Sequence, residues 1–172
     1  MKRSSFVTAA LAFLAPIGMA RAQTPFTQYT SPDGAFTVLF PGTPEVSAPD
    51  VLKLPDGTSM TGRSYHVQTD DADYQVTTTD YPTDTENADL TVMPATAAQS
   101  CAGTYAIGNR DTFQGHPAAR FQVNCPAQAD LPATVLVVQA VVVGKRLYRV
   151  MYGATKVDPS RSSTFLNSLH IN

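Results

Sequence analysis

Two cysteines, three histidines and two runs of acidic residues are the side chains in this chain whose types and spacing could do chemistry. Cys101 and Cys125 are the only cysteines, and His66, His116 and His170 are scattered. A zinc site usually takes four ligands, often in C-x-x-C or H-x-x-x-H pairs, and none of these spacings occurs. Gly57-Thr58-Ser59-Met60-Thr61-Gly62 comes near the nucleophile elbow G-x-S-x-G, but its second glycine stands one residue late. It also follows a Pro-Asp-Gly turn instead of joining a strand to a helix. Asp70, Asp71 and Asp73 offer carboxylate oxygens to a hard cation, yet the calcium-loop glutamate expected eleven residues after Asp70 is Tyr81. Asp84, Glu86, Asn87 and Asp89 form a second acidic loop with no better pattern. Aspartates in turns ordinarily bind their own backbone. Lys145, Arg146 and Arg149 form a basic tip that an anionic partner would meet, or that simply discourages edge pairing. No metal, cofactor or catalytic residue is therefore assigned.

The elements that must position these residues read mostly as strands. Phe36–Pro41 places Phe36, Val38 and Phe40 on one face. Val51–Met60 reads as a short hairpin around Pro55-Asp56-Gly57. Arg63–Thr69 and Tyr74–Tyr81 form a second hairpin with Tyr65, Val67, Tyr74 and Val76 inward and His66 on the other face. Met93–Gly103 lacks alternation, is rich in alanine, and reads as a helix ended by Gly103. Tyr105–Phe113 and Pro117–Asn124 close around Gln114-Gly115. Ala133–Val143 and Arg146–Tyr152 close around Gly144-Lys145. The apolar run to Val143 suits a strand covered on both sides. In that register Val141 faces Tyr148 and Val138 faces Met151. Asp158-Pro159 opens a second helix through Leu166. Two helices and about eight strands in sequential hairpins define an α+β fold with an antiparallel sheet.

Lys2 and Arg3, an apolar run from Phe6 to Ala15, and Ala20-Arg21-Ala22 make an export signal cleaved after Ala22. The apolar run is too short to span a bilayer. Residues 23–172 then form one domain outside the cytoplasm, periplasmic or secreted. That domain carries nine basic residues against fourteen acidic ones, a net of −5 that disfavours nucleic acid. The charge is uneven, −9 over residues 23–100 and +4 over residues 101–172. Interleaving of the two halves in the fold would neutralise it.

Export also decides the cysteines. Pairing Phe113 with His116 makes paired numbers sum to about 229, and Cys101 plus Cys125 falls near that value at the hairpin's open end. His116 sits at the opposite end, roughly 25–30 Å from Cys125, too far for a Cys–His pair. In an oxidising compartment the two thiols close into a disulfide that ties helix to strand.

The stretches FTQYTSPDGAFTVLFPGTPE, YHV with DYQV and DYP, GHPAARFQV, GKRLYRVMY and FLNSLHI together resemble small exported bacterial proteins of the PsbP-like (PsbP/DcrB) fold group. The resemblance implies an antiparallel sheet with helices on its faces, a terminal helix running into a short last strand, and binding or assembly roles without a shared catalytic motif. The expectation is an exported, non-catalytic module that binds a protein or envelope component. Two rivals stand beside it. One is a small-ligand carrier with a pocket between helices and sheet. The other is a small hydrolase using His66, Tyr65 and the Asp70–Asp73 turn.

Overall fold

The computed structural model describes residues 24–85, 88–129 and 131–172. The export signal, Gln23, Glu86, Asn87 and Asp130 lie outside the described residues. Eleven strands appear, β1 (Thr27–Thr30), β2 (Phe36–Phe40), β3 (Glu45–Val46), β4 (Asp50–Lys53), β5 (Ser59–Gln68), β6 (Asp73–Asp80), β7 (Thr104–Phe113), β8 (His116–Cys125), β9 (Thr134–Val143), β10 (Arg146–Ala154) and β11 (His170–Ile171). Among the described residues two α-helices join them, α1 (Met93–Ser100) and α2 (Pro159–Asn167), with a 3-10 turn at Leu90–Val92 leading into α1. The main sheet runs β3-β5-β6-β10-β9-β8-β7, with β4 also pairing β5, and a smaller sheet runs β1-β2-β11. Every strand pair in both sheets is antiparallel. The class is α+β, as the hairpin pattern implied.

The β9–β10 hairpin has the expected register, with Val141 opposite Tyr148 and Val138 opposite Met151. Gly144 takes a φ of +55° at its turn, a conformation that costs glycine little because it has no Cβ. Period-two alternation then splits the strand between two cores. Val141, Tyr148, Val150 and Tyr152 join Tyr65, Tyr74, Val76 and the Phe36, Val38 and Phe40 side chains of β2 under Phe165 and Leu166 of α2. Val138 faces the other way, into a smaller cluster with Phe121, Val123 and Ala98 of α1. The large core is aromatic, with Tyr74 and Phe165 edge to face at 5.2 Å between centroids.

The sequence reading differs from the structure in three places. Ser59–Gln68 is one continuous strand, because Gly62 stays in the ladder opposite both Asp50 and Thr79. The small sheet depends on His170 pairing with Thr37, a contact between chain ends that local patterning does not encode. Helix α1 ends before Gly103. Ala102 takes the left-handed turn at φ +50°. The Ala102 amide donates to Gln99 and the Gly103 amide to Ala98, the paired bonds of a Schellman close. Gly103 is required for another reason. A Cβ there would lie 2.3 Å from the Asn124 carbonyl oxygen.

Candidate functional site

The two faces of the main sheet are finished differently. One is sealed by α2 and the small sheet. The other is covered by α1 only above β7, β8 and β9, with Met151 at the margin of that packing. Beyond Met151 the face continues over β10, β6 and β5 without a cover among the described residues, and its side chains there are mostly polar. Cross-strand registers place them in rows, Ser64 beside Thr77 beside Arg149, and His66 beside Gln75 beside Met151. Asp73 and Gln68 form the next row.

Within this strip the Gln75 amide donates to the Ser64 hydroxyl at 2.8 Å. His66 Nε2 lies 3.3 Å from Asp73 Oδ1, with side-chain exposures of 38% and 45%, so solvent screens the pair. Arg149 is exposed, and the Thr77 hydroxyl oxygen beside it is buried with no hydrogen-bond partner among the described residues. A histidine next to an aspartate and a serine on one face invites comparison with a hydrolytic triad. Ser64 already accepts from Gln75, however, its own amide donates to the Ser47 hydroxyl at 2.9 Å, and β6 here is paired on both sides, with β5 and with β10. An oxyanion needs two free, converging donors, and a paired sheet interior supplies none.

The candidate site residues singled out from sequence, apart from Glu86 and Asn87, fall within the described part of the fold. Cys101 and Cys125 are joined, with S–S 2.10 Å and Cα atoms 5.5 Å apart. Cys101 caps α1 and Cys125 ends β8. His116 pairs with Phe113 at the far end of that strand. Tyr65 is 2% exposed in the aromatic core, and burial pushes its phenol above the ordinary value. Adjacent positions on a strand point to opposite faces. The trio His66, Tyr65 and Asp70–Asp73 therefore does not converge, and that form of the hydrolase is withdrawn. Among the described residues, no three His, Cys, Asp or Glu side chains come together to hold a metal ion. Asp89 caps a short 3-10 turn by accepting from the Thr91 amide.

The basic tip divides. The Lys145 side chain is exposed, while its carbonyl accepts from the Tyr81 amide. Arg146 turns toward the sealed face, donating through Nε and Nη2 to Asp80 at 2.5 and 2.8 Å and through Nη1 to Asp33 at 2.8 Å. The Asp80 carboxylate, joined by Asp33 and Tyr148, outweighs burial and raises the arginine's pKa. Arg149 points to the opposite, open face. Two of the three cations are thus available to a partner, and Arg146 is a structural clamp.

An open cleft of about 500 Å³ continues the polar strip beyond Asp73, between the Asp70–Asp73 turn, the disulfide and Pro132, with Gly153 in its lining. It lies at the end of the sheet with Ser100 of α1 in its lining. A smaller cavity of about 210 Å³ lies between Leu90, Val92 and Met93 at the start of α1 and Val142 and Leu147 of the sheet, the helix–sheet position expected for a ligand pocket. Beneath α2 the space is filled by Phe165 and Leu166, at most 1% exposed.

The fold and these faces define the class, an α+β domain whose antiparallel main sheet carries a helix on each face. The chain matches no protein-family profile and no curated protein sequence. Among solved structures it is similar to the Ran-binding protein Mog1p of Saccharomyces cerevisiae, at 12% identity and a TM-score of 0.47, over 86% of this chain and 96% of that one.

Proposed function

We propose that this chain is an exported, non-catalytic module of PsbP-like framework that holds a protein or envelope component on the open strip of its main sheet. One observation carries the reading, the contrast between a face sealed by α2 and the small sheet and a face left polar and, among the described residues, uncovered beyond Met151. Solvent-facing polar strands are common on antiparallel sheets. What favours binding is the combination of an exposed arginine, a buried hydroxyl that finds no hydrogen-bond partner among the described residues, and hydrogen-bonding side chains on a rigid backbone. Strand-borne groups of this kind recognise a partly anionic, hydrogen-bonding surface. The cleft beside the disulfide supports a second reading, a small-ligand carrier, with the ligand at the sheet end.

Charge reversal tests the proposal. Lys145→Glu combined with Arg149→Glu should weaken capture of the envelope partner by about tenfold at low salt and by less at physiological ionic strength, because surface attraction is screened as salt rises. Equal capture by the variant and the parent protein at low salt would contradict the role of these cations.

A further inference from the structure

We infer that the chain self-associates through the edge strand β7, two copies pairing antiparallel over Thr104–Gly108 to make one continuous sheet. Strand β7 is the last in the main sheet and has β8 as its only neighbour among the described strands. Residues 104–108 are exposed one after another, with Tyr105 at 46% and Ile107 at 48%. The segment therefore offers its outer edge, with Tyr105 and Ile107 still half-exposed on the face that α1 borders.

Natural edges are blunted by charges, prolines, short strands or bulges. The opposite edge shows such devices. There β3 and β4 are short, and Asp50, Lys53, Pro49 and Pro55 stand within or beside β4. Thr104-Tyr105-Ala106-Ile107 has neither charge nor proline, and three of its four residues favour strands. The register irregularity of β7 comes only after it, between Ile107 and Arg110.

The edge is also held in shape. A Cβ at Gly103 would meet the Asn124 carbonyl oxygen at 2.3 Å, and one at Gly108 would meet that of Arg120 at 2.8 Å. The backbone is drawn onto β8 at both ends of the segment, and the disulfide fixes the chain just before it. A preformed strand costs less entropy to pair than a flexible one.

The occupant that fits best is a second copy of the same segment. An uncharged edge is matched by an uncharged strand former, and the chain carries that strand in the right place. A two-fold axis perpendicular to the sheet keeps faces matched only when paired numbers have an even sum. Placing Ala106 on the axis sets Tyr105 opposite Ile107 of the second copy twice. Aromatic and β-branched side chains in direct cross-strand pairs stabilise a sheet, and the contact is isologous, as two-fold dimers require.

Sedimentation of the purified protein over a wide concentration range tests this. We expect a reversible monomer–dimer equilibrium, with Ile107→Lys weakening the dimer about tenfold or more because the change counts twice across the axis. Ile107 is half-exposed, so melting of the monomer should be unchanged, which separates lost pairing from lost folding. A second variant, Ala106→Cys, should form a cross-linked dimer on mild oxidation. Directly opposed residues of an antiparallel pair lie about 4.5–5.5 Å apart at Cα, within disulfide reach. Thr104→Cys, displaced from the axis, should cross-link far less. A protein that stays monomeric throughout, a dimer untouched by Ile107→Lys, or equal cross-linking from positions 104 and 106 would overturn the inference. A monomer that instead takes up a foreign strand at β7 would overturn it as well.

Discussion

Replacing Cys101 and Cys125 together by serine is expected to lower the melting temperature by about 10 °C without altering the open face of the sheet. The bond closes a sequence separation of 24 residues, for which chain entropy gives about 3.5 kcal/mol. Helix α1 has eight residues, well short of the length at which an isolated helix is stable in water. It is held by Ala98 and its neighbours against Phe121, Val123 and Val138, and by the disulfide at its last turn. Loss of the bond should therefore show first as faster amide exchange in α1 and at the start of β7. Calorimetry of the parent protein and the double variant checks the magnitude. Partner capture well below the new melting point should survive. A variant as stable as its parent but unable to bind would mean that the sulfurs take part in recognition.

The second large effect is expected at Arg146. Its guanidinium joins Asp80 of the main sheet to Asp33 in the turn between β1 and β2, so it ties the small sheet to the large one. Arg146→Met keeps the length of the side chain and removes the charge. Because the site is only partly buried, the loss should lie between that of a surface pair and a buried one, about 2 kcal/mol or roughly 5 °C in melting temperature. The pH dependence identifies the cause. Burial pushes the Asp33 carboxyl up, but the Ser31 hydroxyl and Arg146 together outweigh it and hold the group at about 2, against an ordinary 3.8. A depressed native pKa gives stability that is fully present above the unfolded value and is lost as pH falls through the native one. The gap between parent and variant should thus be wide at neutral pH and narrow between about pH 4 and pH 2. Denaturant unfolding at several pH values measures it, and a gap independent of pH would assign the effect to packing alone.

Much of this architecture is legible in particular residues. Val135–Val143 announces a central strand because both its faces are apolar, and Gly144-Lys145 fixes its register against β10. The cysteine pair is legible because hairpin arithmetic brings position 101 near position 125. The small sheet is not legible, since β1 and β11 are short and find β2 only after the chain has folded back. The role of Arg146 is hidden for a similar reason. In sequence it stands next to Lys145 and reads as part of a basic tip, whereas its partners Asp33 and Asp80 are 113 and 66 residues away. The candidate site is the least visible of all. Ser64, His66, Gln75, Thr77 and Arg149 have the polar alternation of any solvated strand. Only the sparse cover given by α1 distinguishes their face from the sealed one, and helix placement is a tertiary outcome that alternation does not specify.

A photo-crosslinking side chain placed on each face in turn tests the binding role most directly, with the protein in its own envelope. Gln75 lies in the open strip, and Ser163 is exposed on α2 on the sealed side. Substitution at Gln75 should give a discrete cross-linked product that disappears when Lys145 and Arg149 are reversed in charge, while substitution at Ser163 should give none. The same product from both positions, or a product from Ser163 alone, would contradict the assignment of binding to the open face.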